Sequence, residues 1–273
     1  MRTYNDDISL IKNGRGVYCI DTTMGCASGL ENEAGGCYND CYAAKTAKRY
    51  GHDFGKTVLR KFKHEGHKRE ILLQISKIKI PFIRIGCSGD PSENWEHTID
   101  VLKTLSKSNT EIIIITRHWN LLTDEQLKYL STKNICINTS ISALDKHELL
   151  SNSLDQYNRI KPYCKSILRI VSCDFNLHNE IGKQLSIIQD SLFKNEATID
   201  TVFRPSIKNK FVTNGIVNAK KEVFNGKLVL ASKRNRKTYM GKCGKCKEMC
   251  GQAISTGSSY KNKRPLVKQL SLL

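Results

Sequence analysis

The chain has 273 residues and a formal net charge of +18, enough for one large domain with a proper core and a small appendage. No run of eighteen or more apolar residues occurs, so no transmembrane helix is expected. The start, Met1-Arg2-Thr3-Tyr4-Asn5-Asp6-Asp7, lacks the basic and apolar segments of a signal peptide, which predicts a cytoplasmic protein.

The charge is localised. From Arg204 onward 17 Lys and Arg stand against two acids, Glu222 and Glu248. Such a region reads as a contact surface for a polyanion, nucleic acid above all, or more plainly as a solvated tail. In a reducing compartment the eleven cysteines, an odd number, are not expected to form a disulfide framework. Six fall into two groups, Cys26/Cys37/Cys41 and Cys243/Cys246/Cys250; Cys19, Cys87, Cys136, Cys164 and Cys173 lie singly and read as small buried hydrophobes.

In chain order, residues 1 to 16 read as an irregular lead-in with a turn at Asn13-Gly14-Arg15-Gly16, and Val17 to Ile20 as a first strand. A glycine-rich cysteine loop follows, over residues 24–45. Helix is predicted from Cys41 to about Tyr50, a break at Gly51, and helix again from Thr57 to Ile78, with His64 and His67 on its surface. Pro81 to Gly86 is the second strand. Asp90-Pro91-Ser92-Glu93 then reads as a capped helix start, Asp90 as N-cap and Glu93 closing a capping box. Further strands are predicted at Glu111 to Thr116, Ile135 to Ser142, Ser166 to Ser172 and Ala197 to Phe203. Helices are predicted from Thr123, within 145–162, and from Glu180 to Phe193. Beyond Pro205 the pattern degrades, with one short strand at Lys227 to Ala231.

Six strands alternating with helices imply a parallel sheet with right-handed crossovers, either a partial barrel or an open doubly wound sheet. In both, ligands sit at the carboxyl ends of the strands. The cysteine loop, Ser88-Gly89-Asp90, Thr116-Arg117 and Ser140 to Ser142 all follow strands, so the polar residues collect on one rim.

The cysteine loop has the spacing C-x10-C-x3-C, and soft thiolates from one loop suit an iron–sulfur cluster or zinc. A zinc site would recruit a fourth ligand such as Cys19 or His52. The tail group, C-x2-C-x3-C, is a second metal signal, open between an auxiliary iron–sulfur cluster and zinc. Arg84 and Arg169 alternate with isoleucines, which places them inside the sheet, paired either with a ligand carboxylate or with an internal acid.

Cys37-Tyr38-Asn39-Asp40-Cys41-Tyr42-Ala43-Ala44 at the end of a first strand resembles the cluster loop of the radical S-adenosylmethionine (SAM) superfamily, whose usual spacing is C-x3-C-x2-C with an aromatic before the third cysteine. Here the third position is Ala44, the aromatic Tyr42 stands one place early, and Cys26 is the replacement ligand. Ser88-Gly89-Asp90 is similar to the motif after the second strand that receives the SAM amino group. The arrangement resembles a phage-borne branch with a C-terminal cysteine cluster.

The resemblance implies a partial (βα)6-type barrel over residues 1–205, an α/β fold, with a basic Cys-rich extension over 206–273. It implies a 4Fe–4S cluster on Cys26, Cys37 and Cys41, with SAM contacted by Tyr42, Ser88, Gly89, Asp90, Asn138, Ser140 and Arg169. A second metal would sit on Cys243, Cys246 and Cys250. An electron donor such as flavodoxin or ferredoxin is then expected as a partner, with nucleic acid or a nucleotide as the substrate class. The rival expectation is a metal-stabilised nucleic-acid-binding protein without catalysis.

Overall fold

The computed structural model describes residues 5–32, 40–79, 82–224, 226–247 and 249–251. The elements in order are β1 (Ile11–Lys12), β2 (Tyr18–Cys19), β3 (Thr23–Met24), α1 (Ala27–Glu31), α2 (Tyr42–Arg49), β4 (Val58–Leu59), α3 (Glu65–Ser76) and β5 (Phe82–Ile85). There follow α4 (Trp95–Leu105), β6 (Glu111–Thr116), α5 (Asp124–Ser131), β7 (Ile135–Ile141), α6 (His147–Ile160), β8 (Lys165–Ser172), β9 (Asp174–Phe175), α7 (Glu180–Leu192) and β10 (Thr198–Val202). The chain continues through α8 (Lys210–Thr213), β11 (Val217–Asn218), β12 (Lys220–Phe224) and β13 (Lys227–Ala231).

Seven strands form a central sheet in the order β1-β2-β5-β6-β7-β8-β10. The pairs from β2 to β10 are parallel, and only β1 runs antiparallel, joined to β2 through the turn at Asn13 to Gly16. The lead-in therefore carries an edge strand that its composition did not announce. The parallel strands lie in sequence order. An open doubly wound sheet requires a reversal of that order, and none is present among the described residues.

Alternation along the strands separates two faces. Ile83, Ile85, Ile112, Ile114, Ile135 and Ile137 pack with buried residues of α3, α4 and α5, while Ile141, Leu168 and Ile170 pack with Leu150, Tyr157 and Leu192 of α6 and α7. The other set, Phe82, Ile113, Cys136, Ile167 and Ile199, packs instead with Val17, Cys19, Cys243 and Cys250. The helices thus cover one face, and the cysteine-rich tail lies against the other.

Two predicted elements differ from the structure. The helix expected from Thr57 begins only at Glu65, capped by the His64 side chain accepting from the His67 amide. Thr57-Val58-Leu59 is β-rich, and Val58 and Leu59 pair with β3 instead. At Asp90 the cap forms, but Pro91–Asn94 is a short 3-10 turn, and α4 takes a new cap from Asn94, which accepts from the His97 amide. The helix expected from Thr123 forms, closed by a capping box of Thr123 and Gln126.

Described parts of the region after Pro205 pack on the rest of the chain. Val217 pairs with Phe175, Phe203 bridges Ser232, and the Cys243 amide donates to the Arg15 carbonyl at 2.8 Å. Among the described residues no helix is long and apolar enough to cross a membrane.

Candidate functional site

The cysteine loop starts one turn beyond β2. Cys26 and Cys41, fifteen positions apart, stand immediately before α1 and α2 and pack against one apolar patch made by Ala43, Ala47 and Phe54. The Cys26 amide is tied to the Phe54 carbonyl at 2.9 Å. Cys37, the middle member, lies outside the described residues. Two of the three predicted ligands are therefore brought to one place by independent pieces of chain.

Three anchors hold the loop to the strand ends. Gly25 bridges Gly89 in parallel register, with its amide 3.3 Å from the Ser88 carbonyl. Glu93 does not close a capping box; its carboxylate accepts from the Ser28 amide at 3.0 Å, the Ser28 hydroxyl at 3.2 Å and the Thr57 hydroxyl at 3.1 Å. At the other end Asp40 accepts from the Ser206 amide at 2.8 Å and from Asn209 and Lys45. Burial alone would raise the Asp40 carboxyl, but these donors hold it below the usual carboxylate range.

Tyr42 donates its phenol to the Cys87 carbonyl, so the residue after Cys41 also reaches the end of β5. Beside it, Asp21 is buried and accepts from the Cys87 amide at 2.6 Å and from the Ser88 amide and hydroxyl. Burial pushes the Asp21 carboxyl up, against the pull of those donors and of Arg60. Ser88 and Gly89 thus lie directly beside the cysteine loop, as the strand register predicts.

Asp90 faces elsewhere. Its Oδ1 accepts from the Ser92 amide at 2.9 Å, the Ser92 hydroxyl at 2.7 Å and the Thr116 hydroxyl at 2.7 Å, while Oδ2 accepts from the Arg117 amide at 2.7 Å. Both oxygens are engaged inside the protein. Asp90 thus fills the N-cap role and locks the rim. Arg117, also on the rim, pairs with buried Asp145 at 2.6 Å, which in turn accepts from the Ser142 amide.

On the face away from the helices, Asn138 donates to the Cys250 carbonyl at 2.9 Å, and half-buried Ser140 stands in register with Arg169. Arg84 is 8 % exposed, and its Nε lies 3.2 Å from the Cys87 sulfur. Neither Arg84 nor Arg169 has an ion-pair partner among the described residues. Sequence reasoning missed Arg15 and Arg204, which join these two: Arg204 stacks 4.2 Å over the Phe224 ring, Arg15 lies 5.4 Å from it, and Arg15 Nε donates to the Gly241 carbonyl at 3.0 Å. They stand in the turn before β2 and just after β10, irregular segments with no periodicity to mark them.

The lone-cysteine reading fails at two positions. Cys19 and Cys87 form a disulfide, because β2 and β5 are neighbours with Cys19 opposite Arg84 and the Gly86 turn brings Cys87 back toward that pair. Cys19 is accordingly not available as a fourth zinc ligand in this state. Cys136, Cys164 and Cys173 are buried as expected, with burial raising each thiol. In the tail, Cys243 and Cys250 are buried and hydrogen-bonded to one another, whereas Cys246 is half-buried and outside that cluster. The bond from Cys243 holds the Cys250 thiol well below its usual range despite burial, with Arg84 and Arg169 adding to the effect.

Among the described residues no three His, Cys, Asp or Glu side chains converge as a metal-ligand set. Comparison with family models, with curated proteins and with solved structures gave no match.

Proposed function

We propose that the protein is a radical SAM enzyme built on a partial six-stranded βα barrel, with a 4Fe–4S cluster on Cys26, Cys37 and Cys41. The observation that carries this reading is the meeting of Cys26 and Cys41 on one apolar patch, in a loop bridged to Ser88-Gly89 at the end of the next parallel strand. The donor set fits the group: Cys26 and Cys41 are half-buried thiols that suit iron, and with Cys37 as the third ligand a position would be left open for SAM. When bound, the cluster supplies the electron that cleaves SAM reductively, so that hydrogen can be abstracted from a substrate.

The chain's own residues orient and enclose. Glu93 and Asp40 fix the two ends of the loop. Tyr42 ties it to Cys87, and Ala43, Ala47 and Phe54 shield the cysteines from water on one side. Ser88 and Gly89 offer backbone beside the loop for SAM, and Asn138, Ser140 and Arg169 line the same sheet face toward the substrate. Cys243, Cys246 and Cys250 would hold a second iron–sulfur cluster or zinc. The basic last quarter favours a nucleic acid or nucleotide as substrate, with flavodoxin or ferredoxin as electron donor.

Anaerobic reconstitution with iron and sulfide, followed by dithionite and SAM, is expected to yield 5′-deoxyadenosine. None from a fully loaded protein would overturn the reading. A colourless protein carrying only zinc would favour instead a metal-stabilised nucleic-acid-binding protein, the reading that the charge of residues 204–273 supports by itself.

A further inference from the structure

We infer that Arg15, Arg84, Arg169 and Arg204 form one anion site on the sheet face opposite the helices, and that it takes a phosphate monoester of the substrate. The inference deepens the enzyme reading, on which it rests for the word substrate. The anion site itself rests on the arginines alone.

The four come from separate places: the turn before β2, the interior of β5, the interior of β8 and the segment after β10. Arg84 and Arg169 lie on the one sheet face that carries Cys250, and Arg15 and Arg204 share the Phe224 ring. Arg169 feels the charges of Cys250, Arg84 and Arg15, and Arg204 that of Arg15. Burial lowers both Arg169 and Arg204 before that repulsion is added. Four like charges gathered in a partly desolvated place are unfavourable unless an anion joins them.

Among the described residues no carboxylate supplies it. Elsewhere Arg117 pairs with Asp145, Arg159 with Asp124 and Arg234 with Asp190, while buried Arg60 is held by the Asp7 carbonyl and the Ser9 hydroxyl. For the four in question no carboxylate partner occurs among the described residues. Their contacts are the Phe224 ring, the Gly241 carbonyl and the sulfurs of Cys87 and Cys250, which orient guanidinium groups without neutralising them. A Cys250 thiolate would offset one charge and leave a surplus.

The surplus sets the ligand class. A single carboxylate, such as that of SAM, offers one charge and two oxygens. A phosphate monoester carries close to two charges and three terminal oxygens, which planar guanidinium forks match in pairs. Arg204 is also felt by Tyr42 and Cys41, so a phosphate held here would place the rest of the molecule beside the cysteine loop.

The test is calorimetric titration of the full-length protein, without SAM turnover, using ribose 5-phosphate, ribose and a 5′-phosphorylated trinucleotide. Ribose 5-phosphate is expected to bind at least about tenfold tighter than ribose, with an affinity that falls as salt rises. Arg169→Gln and Arg204→Gln, both at half-buried positions, are each expected to weaken it about tenfold while the circular dichroism spectrum is retained. Tighter binding of the trinucleotide would identify a strand end as the source of the phosphate, and equal binding a free nucleotide or sugar phosphate. Equal affinities for ribose and ribose 5-phosphate, or folded variants with unchanged affinity, would overturn the inference. Loss of iron in Arg169→Gln with no phosphate binding in the parent would do so too. None of these results depends on 5′-deoxyadenosine formation.

Discussion

Gly25 lies in parallel register with Gly89, and neither position has room for a side chain. Gly25 has φ +90° and a Cβ there would collide with the Lys56 carbonyl; a Cβ on Gly89 would stand 2.5 Å from the Thr23 carbonyl. The cysteine loop can approach the end of β5 only because both residues are glycine. Gly25→Ala and Gly89→Ala are each expected to cost about 2–4 kcal/mol. They should also lower iron incorporation, because the bridge positions Cys26. Chemical denaturation and iron analysis of each variant check this; a fully loaded, equally stable Gly25→Ala protein would show that the bridge does not hold the loop.

Asp90 separates a structural from a ligand-binding role. Removing its carboxylate strips the Ser92 cap and leaves the Thr116 hydroxyl and Arg117 amide buried without acceptors. Asp90→Ala is expected to lose about 3–5 kcal/mol, a fall of roughly 6–15 °C in melting temperature for a chain of this size. Asp90→Asn keeps one acceptor and should lose less. Were Asp90 the receiver of the SAM amino group, Asp90→Asn would melt like the parent and fail to bind SAM, which equilibrium dialysis would reveal.

His118 is the acid-sensitive group of the fold. It is buried, has φ +56°, shares one hydrogen bond with the Thr139 hydroxyl at 2.9 Å through Nε2, and its Nδ1 has no partner among the described residues. Burial takes its pKa down from 6.5 to about 3. The folded state therefore keeps the ring neutral while the unfolded state binds a proton below 6.5, so this contribution is fully present above that pH and lost as pH falls toward 3. The full effect is on the order of 5 kcal/mol. Burial raises Asp90 and Asp145, which acts in the opposite direction. The difference between the parent and His118→Asn, followed by denaturant melts from pH 7 to 4, isolates the histidine. Asparagine tolerates the positive φ, and the variant should show the flatter profile.

What the sequence made legible follows from the range of the interactions. Strands β6, β7 and β8 are long, β-branched and doubly covered, and they appear within a residue or two of their expected bounds. The rim placement of Ser88-Gly89 and Thr116-Arg117 follows directly from counting strands. The Cys19–Cys87 disulfide, the turn of Glu93 toward Ser28 and the docking of Cys243 beneath Arg15 depend on partners 65 or more positions away. No local period encodes them. Arg15 and Arg204 were hidden for the same reason: each sits in an irregular segment, and only the sheet order brings them to Arg84 and Arg169.

The two cysteine groups are expected to fail differently. Cys26 and Cys41 are half-buried on short loop segments, so Cys26→Ala and Cys41→Ala remove little packing and should cost no more than about 1 kcal/mol. Each should still reduce bound iron by about four atoms per chain and abolish 5′-deoxyadenosine formation. Cys243 and Cys250 are buried against Phe82, Ile113 and Ile167 and bonded to one another. Cys250→Ala leaves a cavity and an unpaired thiol partner, so it should destabilise by about 1–3 kcal/mol while the iron on the first group is retained. Cys246, outside that cluster, is the discriminating position. If the tail carries a metal, Cys246→Ser should release it with little change in melting. Inductively coupled plasma analysis for iron and zinc, together with thermal melts of the four variants, reads all of these outcomes. Loss of iron in Cys250→Ala equal to that in Cys26→Ala would instead join the two groups into one site across the sheet face.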